Sequence, residues 1–338
     1  MGIIAAIIVF LLVVMLHELG HFAVAKMVGI KVLEFSIGMG PVIYTNEKTE
    51  TKYSLRARPI GGYVAMEGEN TDSEDERSFN NAKVSSRIAV VLAGATMNFI
   101  LAIVAFFTIN MVRGFPTTII NDFTESSPAY TAGMRSGDKV LSIGGLEMNS
   151  WDDISRTISQ AVNDKMDFVI ERDGENVKMQ IPVIEKNIDG YGTRKIVGII
   201  PQNEKSFGQS IIHAFKDTGY VIKMVFSALR GLVTGGVHTQ DLSGPIGVIN
   251  IISQQSKNGI LSVISILGLI SANLGVMNLL PIPALDGGKI LFLLIEAVKG
   301  KPVNKKVEQG FATAGIMLLF ALMLYVTIFG DLKRILGW

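Results

Sequence analysis

The chain has 338 residues, of which 49% are hydrophobic, and its mean hydropathy of +0.40 is too high for an ordinary soluble enzyme. Its formal net charge of +1 offers no electrostatic footprint for nucleic acid, so no nucleic-acid partner is expected. The sequence contains no cysteine, which excludes disulfides, thiolate metal ligands and a cysteine nucleophile. Any metal in this protein must therefore be held by His, Asp or Glu side chains.

Four uncharged runs alternate with charged segments, at residues 1–16, 88–112, 258–285 and 309–330. About 20 apolar residues cross the hydrocarbon core of a bilayer, so the last three runs are long enough, and the first becomes so if its helix continues to residue 28. A secretory signal peptide is the alternative for the first run, but it would need a positively charged start, which is lacking. We therefore predict a polytopic α-helical membrane protein with spans at 1–28, 86–113, 258–288 and 309–330.

The connector 29–85, between the first two spans, alternates apolar and polar side chains around four glycines. Such alternation, interrupted by turn residues, predicts strands, so we expect a β-rich region associated with the membrane. The glycines that punctuate it are Gly38, Gly40, Gly61 and Gly62. The acidic stretch TDSEDERSF that follows predicts a solvated loop.

Residues 114–200 are the one segment with the composition of a soluble domain. The stretch WDDISRTISQAV predicts a helix with Ser150 as its N-cap, and MDFVIERDGENVKMQIPV predicts two strands joined at Asp173-Gly174. Together these elements predict a small α+β or β-barrel-like module. The segment has no histidine and no nucleophile motif, so we do not expect it to supply the chemistry.

The segment 201–257 includes a stretch, 206–233, that is apolar on a helical period with charges on one side. It predicts an amphipathic helix on the membrane surface, and the alternative is a packing helix of the soluble domain. A loop at 289–308 separates the last two spans, and 331–338 forms a C-terminal tail. That loop has five lysines against two glutamates, so the positive-inside bias places it, the connector 29–85 and the first span's histidines on the cytoplasmic side of the plasma (inner) membrane, with the soluble domain outside.

The first span ends in HELGH, where His17 and His21 are four residues apart and project from one face of a helix. Two neutral imidazoles in this arrangement can bind one zinc ion, and Glu18 beside them can take a proton from a water on the metal. The structural alternative is a helix end whose polar side chains reach interfacial water, which accounts for one such residue better than for three. Because ionisable side chains are costly inside a span, we predict a catalytic zinc site.

A catalytic zinc commonly has three protein ligands and one open position, so a further ligand must come from elsewhere in the chain. The best candidate is Asp286, which closes the third uncharged run just after a Pro-Ile-Pro sequence that must bend or unwind the chain. Its structural alternative is a cap on the helix that follows, and the rival acid is Glu296. His213 and His238 have the setting of surface histidines.

These motifs, in order, resemble the site-2 protease family of intramembrane zinc metalloproteases: HELGH, SPAYTAGMRSGDKVLSIGG and NLLPIPALDGG. The resemblance covers nearly the whole chain and is, in particular, to the bacterial branch that cleaves anti-sigma factors and signal-peptide remnants. It implies His17, His21 and Asp286 as ligands of one zinc per chain, and Glu18 as the general base. It also implies one extracytoplasmic PDZ domain at 114–200, where Gram-negative relatives carry two in tandem.

The same resemblance implies residues that bind the substrate. The strands at FSIGMGP and RPIGGYVAM are similar to the family's membrane-dipping β-region, which implies a substrate-binding role for the four glycines named above. Asn273 and Asn278 match asparagines thought to hold the substrate backbone near the zinc, and polar contact between helices is the alternative. Asn98 fits a second-span motif more loosely, because Ala95-Thr96 stand where the family often has Gly-Pro.

The sequence therefore predicts a zinc metalloendopeptidase that cleaves within or near the transmembrane segment of single-span membrane proteins. Zinc is the one expected cofactor, such substrates and the lipid bilayer are the expected partners, and the ligand of the PDZ domain stays open. The first alternative is a catalytically inactive relative that binds membrane proteins through its PDZ domain, and the intact Glu18 argues against it. The second is a cation transporter, which would need acids in spans two and four, where the sequence has none.

Overall fold

The computed structural model of the chain describes residues 2–69, 71, 73–188, 192–235 and 243–333. The chain divides into two compact units, one formed by residues 1–109 and 211–338 and the other by residues 110–210. Within the described ranges, four helices are long and apolar enough to cross a membrane: Gly2–Met27, Val84–Arg113, Ile260–Leu279 and Lys306–Leu332. His238 and the predicted tail beyond residue 333 lie outside the described residues.

The first helix, α1 (Gly2–Met27), ends just before Gly29, whose φ of 83° is a left-handed conformation that favours glycine at helix ends. Two long strands follow, β1 (Val32–Asn46) and β2 (Lys52–Met66). They pack against the C-terminal part of α1 through a buried cluster that includes Ala25 and Val32. The helix α2 (Val84–Arg113) comes next.

The two strands do not form a simple hairpin, because β1 pairs with two separate parts of β2. Residues 34–37 have residues 62–65 as partners on one side and residues 52–55 on the other. The bend that this requires lies at Gly38, whose φ is 82° and where an added Cβ would be 2.5 Å from the carbonyl oxygen of Arg58. The glycines predicted to punctuate this region thus shape a small folded sheet.

The unit 110–210 holds all the remaining strands of the described residues. In chain order its elements are β3 (Phe115–Phe123), α3 (Pro128–Thr131), β4 (Lys139–Ile143), β5 (Leu146–Glu147), α4 (Trp151–Ser159), β6 (Lys165–Arg172), β7 (Glu175–Pro182), β8 (Ile184–Ile188), β9 (Gly192–Ile196) and β10 (Ile199–Glu204). Strands β10, β3, β4, β6 and β7 form an antiparallel sheet in that order, β5 pairs with β4, and β8 pairs with β9. The structure confirms the predicted cap, since Ser150 Oγ accepts from the Asp153 amide, and the predicted turn at Asp173-Gly174.

The segment 201–257, which precedes the third span, contains two helices, α5 (Phe207–Thr234) and α6 (Pro245–Ser256). Most of α5 belongs to the unit formed by residues 1–109 and 211–338, where Ala214 and Val221 pack against α2, so the alternative of a packing helix of the soluble domain is wrong. The sequence did not predict α6. Its N-cap is Gly244, whose amide donates to Asp331 at 3.0 Å, and Ile252 packs against α1.

The third apolar segment is interrupted as predicted. Helix α7 (Ile260–Leu279) ends before the Pro-Ile-Pro sequence, and α8 (Asp286–Lys299) begins after it. The chain between them turns through Ala284, whose φ of 70° is rare for a residue with a Cβ. Helix α9 (Lys305–Val326) continues into a short π-helix, Thr327–Leu332. The predicted loop 289–308 is thus helical through residue 299.

Candidate metal centre

Three potential ligand atoms converge where α8 begins beside α1. The i, i+4 spacing brings the Nε2 atoms of His17 and His21 to 3.1 Å from each other. Asp286 Oδ2 lies 3.2 Å from the first of these atoms and 3.3 Å from the second. Among the described residues, this is the group of three ligand-type side chains placed closely enough to hold a metal ion.

The triangle of ligand atoms fits a tetrahedral zinc ion. Zinc ligands lie about 2.0–2.2 Å from the metal, so two ligands of a tetrahedral site are roughly 3.3 Å apart, which matches the three observed separations. His21 Nδ1 lies 2.8 Å from the carbonyl oxygen of Val90, to which it must donate, so its Nε2 presents a lone pair. Asp286 Oδ2 is buried without a hydrogen-bond donor. His21 Nε2 and Asp286 Oδ2 thus face each other as acceptors at 3.3 Å, an arrangement that favours a bound cation.

Asp286 is held in place by the helix that it starts. The N-cap of α8 is Leu285 and makes no side-chain cap bond, so the alternative role of Asp286 as the cap is wrong. Two ion pairs anchor α8, one between Lys289 and Glu69 at 2.6 Å and one between Glu296 and Arg87 of α2. Burial alone would lower the pKa of Lys289, but the Glu69 carboxylate raises it above its usual value. The rival acid Glu296 is thus engaged by an arginine.

Helix α2 contacts both histidines at a position where it has no side chain. A Cβ added to Gly94 would collide with His21 Nε2 and lie 2.6 Å from His17 Cε1. On α1, a Cβ added to Gly20 would lie 2.7 Å from Met97 Cγ. These two glycines therefore let α1 and α2 approach each other at the site.

Glu18 is partly buried beside the two histidines and faces the folded sheet. A Cβ added to Gly62 would lie 3.7 Å from Glu18 Cγ, so β2 passes next to this carboxylate. The other three predicted glycines have left-handed backbone conformations in this region, with φ of 82° at Gly38, 88° at Gly40 and 82° at Gly61. Of the four, Gly62 is the one that the structure brings to Glu18.

The predicted asparagines differ in their positions. Asn278 Nδ2 lies 3.4 Å from His17 Nδ1, next to the ligand cluster. Asn273 is exposed on α7, and the described residues include no hydrogen bond from it to the cluster. Asn98 Nδ2 also lies 3.4 Å from His17 Nδ1, a contact that the loose motif match at Asn98 did not predict. His213 lies on α5, outside the cluster.

Comparison with known proteins yields consistent matches. The family model described as "Peptidase family M50" matches residues 5–322. A Clostridium acetobutylicum protein whose name is that of a zinc metalloprotease is 36% identical over 97% of this chain and 96% of its own length. The "Regulator of sigma-W protease RasP" of Bacillus subtilis is 30% identical over 98% of both chains. Among solved structures, a PDZ domain of an SdrC-like protein from Listeria monocytogenes matches 26% of this chain and 88% of that chain, with 20% identity and a TM-score of 0.22.

Proposed function

We propose the following function for the chain, which belongs to peptidase family M50 and is a zinc metallopeptidase. It hydrolyses a peptide bond within or beside the transmembrane segment of a membrane-bound substrate. One observation carries the proposal: two of the three ligand atoms lie on α1, a helix apolar enough to cross a membrane. The third, from Asp286, follows another such helix, α7, by seven residues. The ligand cluster would therefore lie on, or close to, segments that cross the membrane.

His17, His21 and Asp286 would hold one zinc ion per chain, with Glu18 beside it. When bound, zinc polarises a carbonyl and lowers the pKa of a water molecule. Glu18 takes the proton of the attacking water and later delivers it to the leaving amine. The Glu18 carboxylate is partly buried next to His17 and His21, which supports its role towards both the attacking water and the leaving amine.

The substrate must present an extended segment, because a helix hides its scissile carbonyl in hydrogen bonds. Residues 62–65 of β2 pair with β1 on one side, and the described residues include no strand on their other side. A substrate strand added along this edge would run beside Gly62 and thus beside Glu18. Asn278, next to His17, is the better placed of the two predicted asparagines to hold the substrate backbone.

Substrates such as anti-sigma factors or signal-peptide remnants would suit this site, since RasP is by name a protease that regulates sigma-W. We assign the unit 110–210 as a PDZ domain on the extracytoplasmic side that regulates substrate access. A groove of about 680 Å³ between α4 and β9, lined by Trp151, Ser155 and Arg194, is its candidate ligand site. Deleting residues 114–200 should leave hydrolysis intact and broaden the choice of substrate.

The test is co-expression with candidate single-span substrates. Glu18→Gln keeps the shape of the side chain but cannot accept a proton, so cleavage should fall about 10²–10⁴-fold while zinc content stays at one per chain. Glu147→Gln, an exposed glutamate in the other unit, is the matched control. Cleavage by Glu18→Gln at the wild-type rate would refute the mechanism.

A further inference from the structure

We propose that Asn98 on α2 is the positioning residue for the zinc ligand His17, through a hydrogen bond from the ring Nδ1–H to the Asn98 carboxamide oxygen. The inference rests on the zinc site proposed above and assigns to Asn98 a role in metal binding. The two proposed histidine ligands lie on one helix, but their Nδ1 atoms meet different kinds of partner.

One stripe of α2 supports both rings. Val90, Gly94 and Asn98 follow one another at four-residue intervals and so lie on one face of the helix. The carbonyl of Val90 accepts from His21 Nδ1, Gly94 leaves room for the imidazoles, and Asn98 lies opposite His17 Nδ1. The stripe thus matches the i, i+4 spacing of the histidines on α1.

The chemistry of a ligating imidazole determines what Asn98 must provide. A histidine that binds a metal through Nε2 carries its proton on Nδ1 and donates it to a nearby acceptor. In the observed orientation Asn98 turns Nδ2 towards His17 Nδ1, while its Oδ1 is buried with no partner among the described residues. A half-turn of the amide exchanges these two atoms, whose shapes are nearly the same, and brings the unpaired acceptor to the ring donor.

Asn278 lies at the same distance from His17 Nδ1, but the surroundings of the two amides differ. Asn98 is 1% exposed, and its backbone oxygen accepts from Ser271 Oγ at 2.8 Å. It is therefore enclosed between α2 and α7, where no substrate can reach it. Asn278 is only partly buried near the end of α7, which leaves its amide accessible to a substrate backbone. We therefore assign the hydrogen bond with the zinc ligand His17 to Asn98, and contact with the substrate backbone to Asn278.

The experiment compares zinc affinity, by chelator competition, in the purified full chain and in Asn98→Leu, Asn98→Asp and Asn278→Leu. Loss of an outer partner of a metal ligand typically costs 10–100-fold in affinity, so Asn98→Leu should weaken zinc binding by that factor. It should also shift the visible absorption bands of the Co²⁺ form. Asn98→Asp keeps an acceptor and should restore both properties, while Asn278→Leu should keep zinc affinity and lose cleavage.

The following results would contradict the assignment of Asn98 as the partner of His17. Wild-type zinc affinity in Asn98→Leu refutes it, and so does a loss in Asn278→Leu alone. If the leucine variant is unfolded by circular dichroism, Asn98→Ala takes its place, and equal affinity of Asn98→Ala and Asn98→Asp refutes the hydrogen bond. His17→Ala tests the proposed zinc site independently. Wild-type zinc binding in His17→Ala would refute the zinc site and with it the proposed function. Loss of zinc in His17→Ala, together with wild-type affinity in Asn98→Leu, would refute only the role of Asn98.

Discussion

Two largely buried aspartates, one in each unit of the chain, differ in what surrounds their oxygens. Asp138 in the unit 110–210 accepts from Arg172 at 2.7 and 2.8 Å and from the Arg135 amide at 2.7 Å. Asp286, in the unit formed by residues 1–109 and 211–338, has two imidazole nitrogens beside Oδ2, which is buried and makes no hydrogen bond to the described residues. Since folded proteins leave few buried polar atoms unpaired, the surroundings of Asp138 are those of a structural carboxylate, and the unpaired Oδ2 of Asp286 supports the proposed cation site.

The strongest test of this contrast is the removal of the carboxylate from the metal centre. Asp286→Ala should reduce zinc affinity by more than about 100-fold, because losing a ligand costs more than the 10–100-fold typical of an outer partner. Cleavage should fall to background. Metal content of the purified protein and the co-expression assay measure the two effects.

The matched control is Glu296→Ala, on the same helix. Glu296 pairs with Arg87, so its loss should affect the anchoring of α8 and leave zinc in place. A full equivalent of zinc in Asp286→Ala, together with loss of zinc in Glu296→Ala, would show that the third ligand has been misassigned.

The next effect in size concerns Gly94, whose lack of a side chain leaves room for the two imidazoles. In Gly94→Ala the new methyl group must displace one or both imidazoles, and a shift of about 1 Å at a catalytic group can cost roughly 10²-fold in rate. Cleavage and zinc affinity should both decrease. In Gly219→Ala, on α5, the methyl group meets nothing within 4 Å, so both quantities should stay at the wild-type level.

Much of the metal centre could be predicted because its signals are local. The spacing of His17 and His21 defines one helix face, and the prolines before Asp286 mark the interruption that the structure shows between α7 and α8. Each inference needed only a few neighbouring residues. The long apolar runs likewise predicted the four candidate membrane helices.

What the sequence did not predict depends on partners far along the chain. The N-cap of α6 is Gly244, whose amide donates to Asp331, 87 residues away, so the acceptor that completes this cap is not local. Asn98 meets His17 across 81 residues. The double pairing of β1 also depends on a bend that periodicity does not reveal.

Removal of the structural carboxylate should have a smaller and different effect. Asp138→Ala removes the acceptor of the Arg135 amide and two of the hydrogen bonds of Arg172, which should destabilise the unit 110–210 by about 1–3 kcal/mol. Zinc content should not change. Hydrogen exchange of the amides of β4 and β6 in the full chain reports the local stability, and loss of zinc in this variant would contradict the division between the two aspartates.

The smallest effect on cleavage is expected from single cysteines that report on which side of the membrane a residue lies, one between α8 and α9 and one in the unit 110–210. The chain contains no cysteine, so single introduced cysteines can be labelled without background. With Asn304→Cys, between α8 and α9, an impermeant thiol reagent should give no labelling in intact cells, because the lysines around it favour the cytoplasm. Asn304 caps α9 by accepting from the Lys306 amide, so this variant should lose only about 1 kcal/mol of stability.

The matched probe is Asn176→Cys, an exposed position in β7 of the other unit. It should be labelled in intact cells, whereas Asn304→Cys should be labelled only after permeabilisation. Both variants should cleave substrate at close to the wild-type rate, since neither residue contacts the metal centre. Labelling of Asn304→Cys in intact cells would contradict the proposed topology. His17 would then lie near the outer face of the membrane.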